Sequence, residues 1–320
     1  LKISCSKFTT GEVVTMASIG EEENGGILMK NVADLRTLGI CASKWLILIL
    51  VWNLHPYLGL CGKILAGLLQ CVWSFYVMTM VHNAMHCDVF RHGFVESVWR
   101  VILSATAGVP VESYRPTHNM NHHVYTQHGD HLDTKQMKYK WHLLNLLLFF
   151  PTVFPAIQKL ESEFIANEAK KCSKTFFLFI AQVMAAHGAT CVLLYLDWRR
   201  AVLCWVIPYI FGADAIVTMN MLQHDGTEDI VLGEHKGPKM NVNSARNFTG
   251  PVINWLTCNN GYHAIHHMYS NIHWTKYPEM HAKLIVPHSD PTLDEPDILR
   301  FMWRTYFWPG SLPEHRQKES

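Results

Sequence analysis

The chain has 320 residues, room for one large domain or two ordinary ones. Hydrophobic residues make up 49% and charged residues only 17%, against about 25% charged in soluble domains, so a soluble globular protein is a poor match. The net charge of +1 hides segregation, since long apolar runs alternate with polar, His-rich loops. That pattern suits a membrane protein better than a nucleic-acid binder, which needs a basic surface.

The chain opens on Leu1, with Met16 as an internal candidate start. Residues 1–34 read as a disordered or targeting lead, with the polar run Glu21, Glu22, Glu23, Asn24, Gly25 and Gly26 and none of the layout of a cleavable signal. Residues 35–320 read as one membrane domain. A spanning helix needs about 20 mostly apolar residues, and four segments meet this: 35–54, 57–81, 175–196 and 201–222. His55-Pro56 divides the first pair, because proline ends a helix and restricts its neighbour. Asp197 to Arg200 divide the second pair, and each pair reads as a tight hairpin. Two shorter stretches, 94–111 with Glu96 and Arg100 and 141–157 with Pro151 and Pro155, read as interfacial or half-buried helices. His187 and Asp214 are taken as the ionisable groups inside the spans, and His187 reads as a hydrogen-bonded core histidine.

Nine of the 20 histidines stand in a pattern. The boxes are His82 and His86; His118, His122 and His123; and His263, His266 and His267, with His224 four residues after Asn220. With the N-terminus cytosolic, the two hairpins bring all nine to the cytosolic face. Lys135, Lys138, Lys140, Lys170, Lys171 and Lys174 on that side agree with the positive-inside tendency, while Arg199 and Arg200 in the outer turn dissent.

Residues four apart share a helix face. His82 with His86, Asn220 with His224, and His118 with His122 are therefore expected to reach the same or adjacent metals, with His123 turned toward a second. So many imidazoles exceed the needs of one tetrahedral ion, and zinc sites commonly add cysteine or carboxylate. The nine cysteines have no C-x-x-C spacing, and His-Glu-x-x-His is absent. Zinc also lacks redox chemistry, whereas a metal beside apolar helices faces hydrocarbon. Breaking an unactivated C–H bond with dioxygen calls for iron or copper, both suited to imidazole. A metal transporter is the rival reading, but it would place its ionisable groups along a route inside the spans.

Asp130 and Asp225 are the carboxylates expected to hold the outer N–H of a ligating imidazole, with Asp88, Asp133, His92, His128 and His131 as nearby candidates. Trp73, Tyr76, Met80, Met219 and Met221 are candidates for an acyl tunnel, although plain helix packing explains them as well.

At these boxes the chain resembles the membrane fatty-acid desaturase and alkane-hydroxylase superfamily, over about residues 40–310. The resemblance implies an all-α fold: four transmembrane helices in two hairpins with a cytosolic helical cap holding a di-iron site. It implies nine iron ligands, namely His82, His86, His118, His122, His123, His224, His263, His266 and His267, with Asn220 approaching one iron through water. Two iron ions with O2 as co-substrate, a lipid substrate, and a separate electron donor (a b-type cytochrome, or a ferredoxin with its reductase) follow from it. The tail from Asn259 through His273, Trp274 and His281 looks like that of acyl desaturases. The expected reaction is desaturation of a lipid- or CoA-linked acyl chain. Hydroxylation or ketolation of a hydrocarbon, fatty acid or carotenoid is the alternative. The expected location is the endoplasmic reticulum rather than a plastid or bacterial inner membrane.

Overall fold

A computed structural model of the chain describes residues 26–126, 129–137, 139, 142–228 and 242–307. Met16, Glu21, His128, Lys138 and Lys140 lie outside the described residues.

Among the described residues the chain is built almost wholly of helices, as an integral membrane protein. Helix α1 spans Leu35–Leu54, and α2 spans Leu60–Ala84. At about 1.5 Å per residue both match a hydrocarbon core about 30 Å thick. The chain turns between them at a 3-10 turn over His55–Tyr57, where Pro56 interrupts the helix.

Helix α7, Lys174–Ala201, passes through a π-helical turn at Val202–Val206 into α8, Ile207–His224. These elements follow without a loop, yet they do not form one rod. Asp197 is extended (φ −163°, ψ 100°), and its carboxylate accepts from the amides of Arg199 and Arg200. Trp205 Nε1 donates to Thr190 Oγ1 at 2.9 Å. Fifteen residues of straight helix would hold those groups roughly 22 Å apart. The chain therefore doubles back at Asp197, and the second hairpin stands. Arg200 Nη1 donates to Trp52 O, so the two hairpin turns adjoin on the side far from the histidines.

Lipid tails give no hydrophobic reward for helix association, so close approach and polar contacts must hold the bundle. At the α2/α8 crossing a Cβ on Gly212 would lie 2.9 Å from Ser74 O, so only glycine permits the contact. Lys44, buried in α1, donates to Gln70 O at 3.0 Å and Ser74 Oγ at 2.7 Å. Lys44 corrects the expectation that His187 and Asp214 are the intramembrane ionisable groups. His187 corrects a second one, because it is exposed on the outer face of α7 and not in the core.

Helix α3, Gly93–Ala107, ends at left-handed Gly108 (φ 78°). The chain then bends by 88° into the segment carrying the second box: a 3-10 turn at Val111–Ser113, α4 (Tyr114–Thr117), a π-helical turn (His118–His122) and α5 (His123–Tyr125). Arg100 of α3 ties this corner together. Its guanidinium donates to Glu96 Oε1 (3.0 Å), Glu112 Oε1 (2.8 Å), Asp88 Oδ1 (2.9 Å) and Ala84 O (3.0 Å). One side chain thus joins the end of α2, the loop after the first box and the approach to the second.

Helix α6 runs from His142 to Lys170, straight through Pro151 and Pro155, and is long and apolar enough to cross a membrane. Its ends argue against crossing. His142 lies against Tyr306 of the C-terminal segment. At the other end α7 begins at Lys174, and Gln182, two turns later, accepts from the Glu112 amide at 2.9 Å. Glu112 is held by Arg100, so both ends of α6 are on the histidine side. The interfacial helix expected over 141–157 therefore exists but continues to Lys170.

The remaining short elements close beneath the bundle: α9 (Pro251–Leu256), α10 (His263–Met268), α11 (Tyr277–Met280) and α12 (Ile298–Met302). Two short strands, β1 (Asn247–Phe248) and β2 (Asp294–Glu295), pair in parallel and fasten the third box to the chain end. The ordered body also begins before residue 35. Met29 is buried and bridges to Phe90, and buried Asp34 accepts from Trp274 Nε1 (3.1 Å) and pairs with His273 Nε2 (3.2 Å).

Candidate metal centre

The bundle and its cap bring all nine box histidines together in two groups. One holds His82, His86, His118, His123 and His266; the other holds His122, His224, His263 and His267. All nine rings turn Nε2 inward. In the first group His82 meets His266 at 3.0 Å, His86 meets His118 at 3.0 Å, and His123 meets both His118 and His266 at 3.1 Å. In the second, His224 meets His263 at 2.9 Å and His267 at 3.2 Å, while His267 meets His263 and His122 at 3.1 Å. Two nitrogens bound at about 2.1 Å to one ion, at right angles, would be about 3 Å apart. The groups abut, with the His123 and His267 rings 4.5 Å apart.

The outer nitrogens decide what the inner ones are. His122 Nδ1 lies 2.6 Å from Asp130 Oδ2, and His224 Nδ1 lies 2.8 Å from Ser244 O. Carboxylate and carbonyl oxygens only accept here, so both rings carry their proton on Nδ1 and present a bare lone pair at Nε2. His266 Nδ1 faces the Tyr277 hydroxyl at 3.1 Å, and the Asn260 amide abuts His82 Nδ1. Burial, then neighbouring histidines, pushes His118, His123, His263, His266 and His267 well below the usual imidazole range. Burial, then His122, lowers His86 to about 3. Neutral imidazoles with converging lone pairs repel one another unless a cation sits between them. The donor set, all nitrogen without cysteine or carboxylate, suits iron or copper.

Asp130 is buried, and burial alone would raise its carboxyl. The His122 imidazole and hydrogen bonds from His122, His131 and the Leu132 amide outweigh that and hold it far below the usual carboxylate range. It is the orienting carboxylate expected from the sequence. Asp225 instead accepts from the Tyr306 hydroxyl. Asp88 pairs with Arg100 and Lys30, Asp133 caps the turn at Lys135, and His92 caps α3. Sequence reasoning misses Ser244, Asn260 and Tyr277, which hold outer nitrogens from remote or unremarkable positions. Only Asn259-Asn260 just ahead of the third box carries a signal of its own.

The sharing of ligands corrects one expectation. His118 pairs with His123, and His122 goes to the other group. The segment His118–His122 is π-helical, and an i to i+5 winding brings residues five apart, rather than four, onto one face. In α10 the ordinary winding holds, so His263 and His267 share a group and His266 leaves it.

Beside the first group lies a cavity of about 140 Å³. Met78 and Val81 of α2, Ile216 and Val217 of α8, and Phe150 and Ile157 of α6 form its apolar walls. Buried His118, His131 and Asn220 form its floor, while exposed Phe154 and Gln158 and half-buried Glu161 form its rim. Trp73, Tyr76, Met80, Met219 and Met221 are not among its lining residues. Met80 and Met221 are fully buried in helix packing, and Trp73 Nε1 donates to Ser43 Oγ. The apolar space opens between α6 and the bundle because α6 lies across the ends of α2 and α8.

Residues 45–294 match the model of the family described as fatty acid desaturase. No curated protein matches the chain.

Proposed function

The chain belongs to the fatty acid desaturase family, and on the premise that it is a membrane oxidoreductase of the desaturase and hydroxylase kind, we propose that it uses O2 and two iron ions to desaturate a fatty acyl chain carried on a lipid or CoA. One observation carries the reading: nine Nε2 atoms converge in two adjoining groups next to an apolar cavity whose floor includes His118. His82, His86, His118, His123 and His266 would hold one iron, and His122, His224, His263 and His267 the other. Two irons bound there supply reductive activation of dioxygen and removal of hydrogen from an unactivated methylene.

The protein's own part is positioning and exclusion of water. Asp130 fixes the tautomer and tilt of His122, and Ser244 O does the same for His224. The apolar walls admit a hydrocarbon chain and guide it to the floor. Asn220 stands one helical turn from His224, with Nδ2 buried and unpartnered among the described residues, as a water-mediated ligand would. The electrons come from a separate donor, a b-type cytochrome or a ferredoxin with its reductase, and the endoplasmic reticulum suits such a chain.

The test joins metal analysis to product analysis. The purified protein is expected to hold about two irons, and expression in a lipid-rich host under ¹⁸O2 should yield acyl chains with a new double bond and no label. An ¹⁸O-labelled alcohol would make it a hydroxylase instead. Stoichiometric zinc with no O2-dependent product would defeat the proposal.

A further inference from the structure

The outer face of α1 carries an exposed stripe of small and apolar residues. Leu35, Gly39, Ala42, Leu46 and Ile49 recur at helical spacing along it, so this face of the span looks into lipid. The 20 residues of α1 rise about 30 Å, the thickness of the hydrocarbon core. Leu35 and Arg36 in its first turn therefore lie at the bilayer surface on the histidine side. Arg36 is half-buried there against the cap. Its Cζ lies 5.1 Å from the centre of the Trp255 ring and 4.9 Å from that of Trp274, and Nη1 donates loosely to Trp255 O at 3.4 Å. Among the described residues no carboxylate pairs with it. The acids nearest in sequence to these segments are committed elsewhere. Asp34 is buried on Trp274 Nε1 and His273 Nε2, and Glu279 pairs with Lys283. The lysine two residues beyond Trp274, Lys276, has the same sign as Arg36. The other exposed groups at this corner are apolar: Val32 before α1, and Val252 one turn ahead of exposed Trp255 in α9.

We propose that Arg36, with Trp255 and Trp274, binds the phosphodiester of a phospholipid in the leaflet on the histidine side, held as a resident lipid on the α1 face and not as a substrate. The site is separate from the cavity beside the histidines, whose lining comes from other elements and includes no residue of α1. A guanidinium stacks its faces on indole rings while the N–H groups in its plane grip phosphate bidentately. Arg36 has the stacking partners, but only one of its five N–H groups meets a protein acceptor among the described residues. A lipid phosphate at the surface of the bilayer supplies the missing acceptors. Exposed Trp255 sits at the depth where an amphipathic ring is most stable, and the α1 stripe below it takes the acyl tails. Occupancy also braces the metal-binding segment. Asn259, just ahead of the third box, donates to Trp274 O at 3.0 Å, and Tyr277, three residues after Trp274, faces His266. A head group on Arg36 therefore ties α1 to the chain on both sides of the third box.

Native mass spectrometry of the full-length protein, stripped of lipid in detergent, tests this with three probes: 1-palmitoyl-2-oleoyl phosphatidylcholine, dioleoylglycerol and inorganic phosphate. The expected result is retention of the phosphatidylcholine at least about tenfold over dioleoylglycerol, which has tails and no phosphate. Arg36→Gln should lower that retention about tenfold. Arg36→Lys should lower it part of the way, because an ammonium keeps the charge without the planar fork. Lys283→Gln, at an exposed cation elsewhere on the cap, should leave it in place. A phosphatidylcholine with a photoreactive diazirine in its head group gives a readout that needs no variant. Its adducts on the unaltered protein should fall within residues 32–36 and 252–255. Adducts confined to other segments, equal retention of dioleoylglycerol, or retention unmoved by Arg36→Gln overturns the assignment. Displacement of the phosphatidylcholine by inorganic phosphate at equal concentration would make this a site for free phosphate, and the lipid assignment falls.

Discussion

Each imidazole at the candidate centre has two nitrogens, and the protein orients the inner one through the outer one. Asp130 is the clearest case, because it sits 2.6 Å from His122 Nδ1 and is itself anchored by the Leu132 amide. Asp130→Asn is expected to lower metal affinity by about 10–100-fold while membrane insertion persists, read by chelator competition against the unaltered protein. An affinity unchanged by the substitution would deny Asp130 its orienting role. Acid acts on the inner nitrogens. His86 is lowered to about 3 in the folded chain from an ordinary value of 6.5, so the folded state resists its protonation. Its contribution to stability is complete above pH 6.5 and is lost as pH falls from there toward 3, at up to about 1.4 kcal/mol per pH unit for each proton taken up. Denaturation of the metal-free protein at pH 7 and pH 5 should show this loss, and equal midpoints would contradict it. Asp130 and all nine histidines were legible in the sequence. The partners from Ser244, Asn260 and Tyr277 were not, since a backbone carbonyl carries no residue-type signal and an isolated Tyr or Asn carries little.

At the level of elements, winding decides which of the two groups a histidine joins. The second box has three residues between His118 and His122, and an ordinary α-helix would put these two on one face. The π-helical turn absorbs one extra residue, so His118 and His123 come together instead. Met120 is the natural surplus residue. It is exposed, whereas Asn119 donates to Met85 O and Asn121 accepts from the His131 amide. Deleting Met120 should restore α-winding, return His118 and the last histidine of the box to i, i+4, and keep metal content near that of the unaltered protein. Inserting an alanine at the same place should lower it. Plasma emission analysis of both variants checks the pair, and loss of metal on deletion would mean that the turn does more than absorb a residue. Box spacing was plain in the sequence, but winding was not, because a single inserted residue can be taken up as a π-turn or as a loop.

For the whole molecule, the question is how often the chain crosses the bilayer. Helix α6 has the length and apolarity of a span, yet its ends are tied to the same side by His142 against Tyr306 and by Gln182 to the Glu112 amide. Cys172, exposed in the turn between α6 and α7, offers a direct test. In otherwise cysteine-free protein in sealed vesicles, a membrane-impermeant thiol reagent should label Cys172 from the same side as a cysteine placed at exposed position 135. A cysteine at position 198, in the far turn, should label from the opposite side. Labelling of Cys172 together with position 198 would make α6 a span and leave α7 without a crossing.

Hydropathy and residue spacing alone determined the four spans, their pairing into hairpins and the convergence of nine histidines on one face. These are one-dimensional properties: apolar run length sets a span, and an even number of crossings returns the chain to its starting side. The tertiary structure alone decided the partition of histidines into five and four, the course of α6 along the interface, and the placing of the cavity against α6 rather than among Trp73, Tyr76 and the methionines. Each of these depends on contacts between segments far apart in the chain. Local pattern does not encode which of two possible faces meets a distant neighbour.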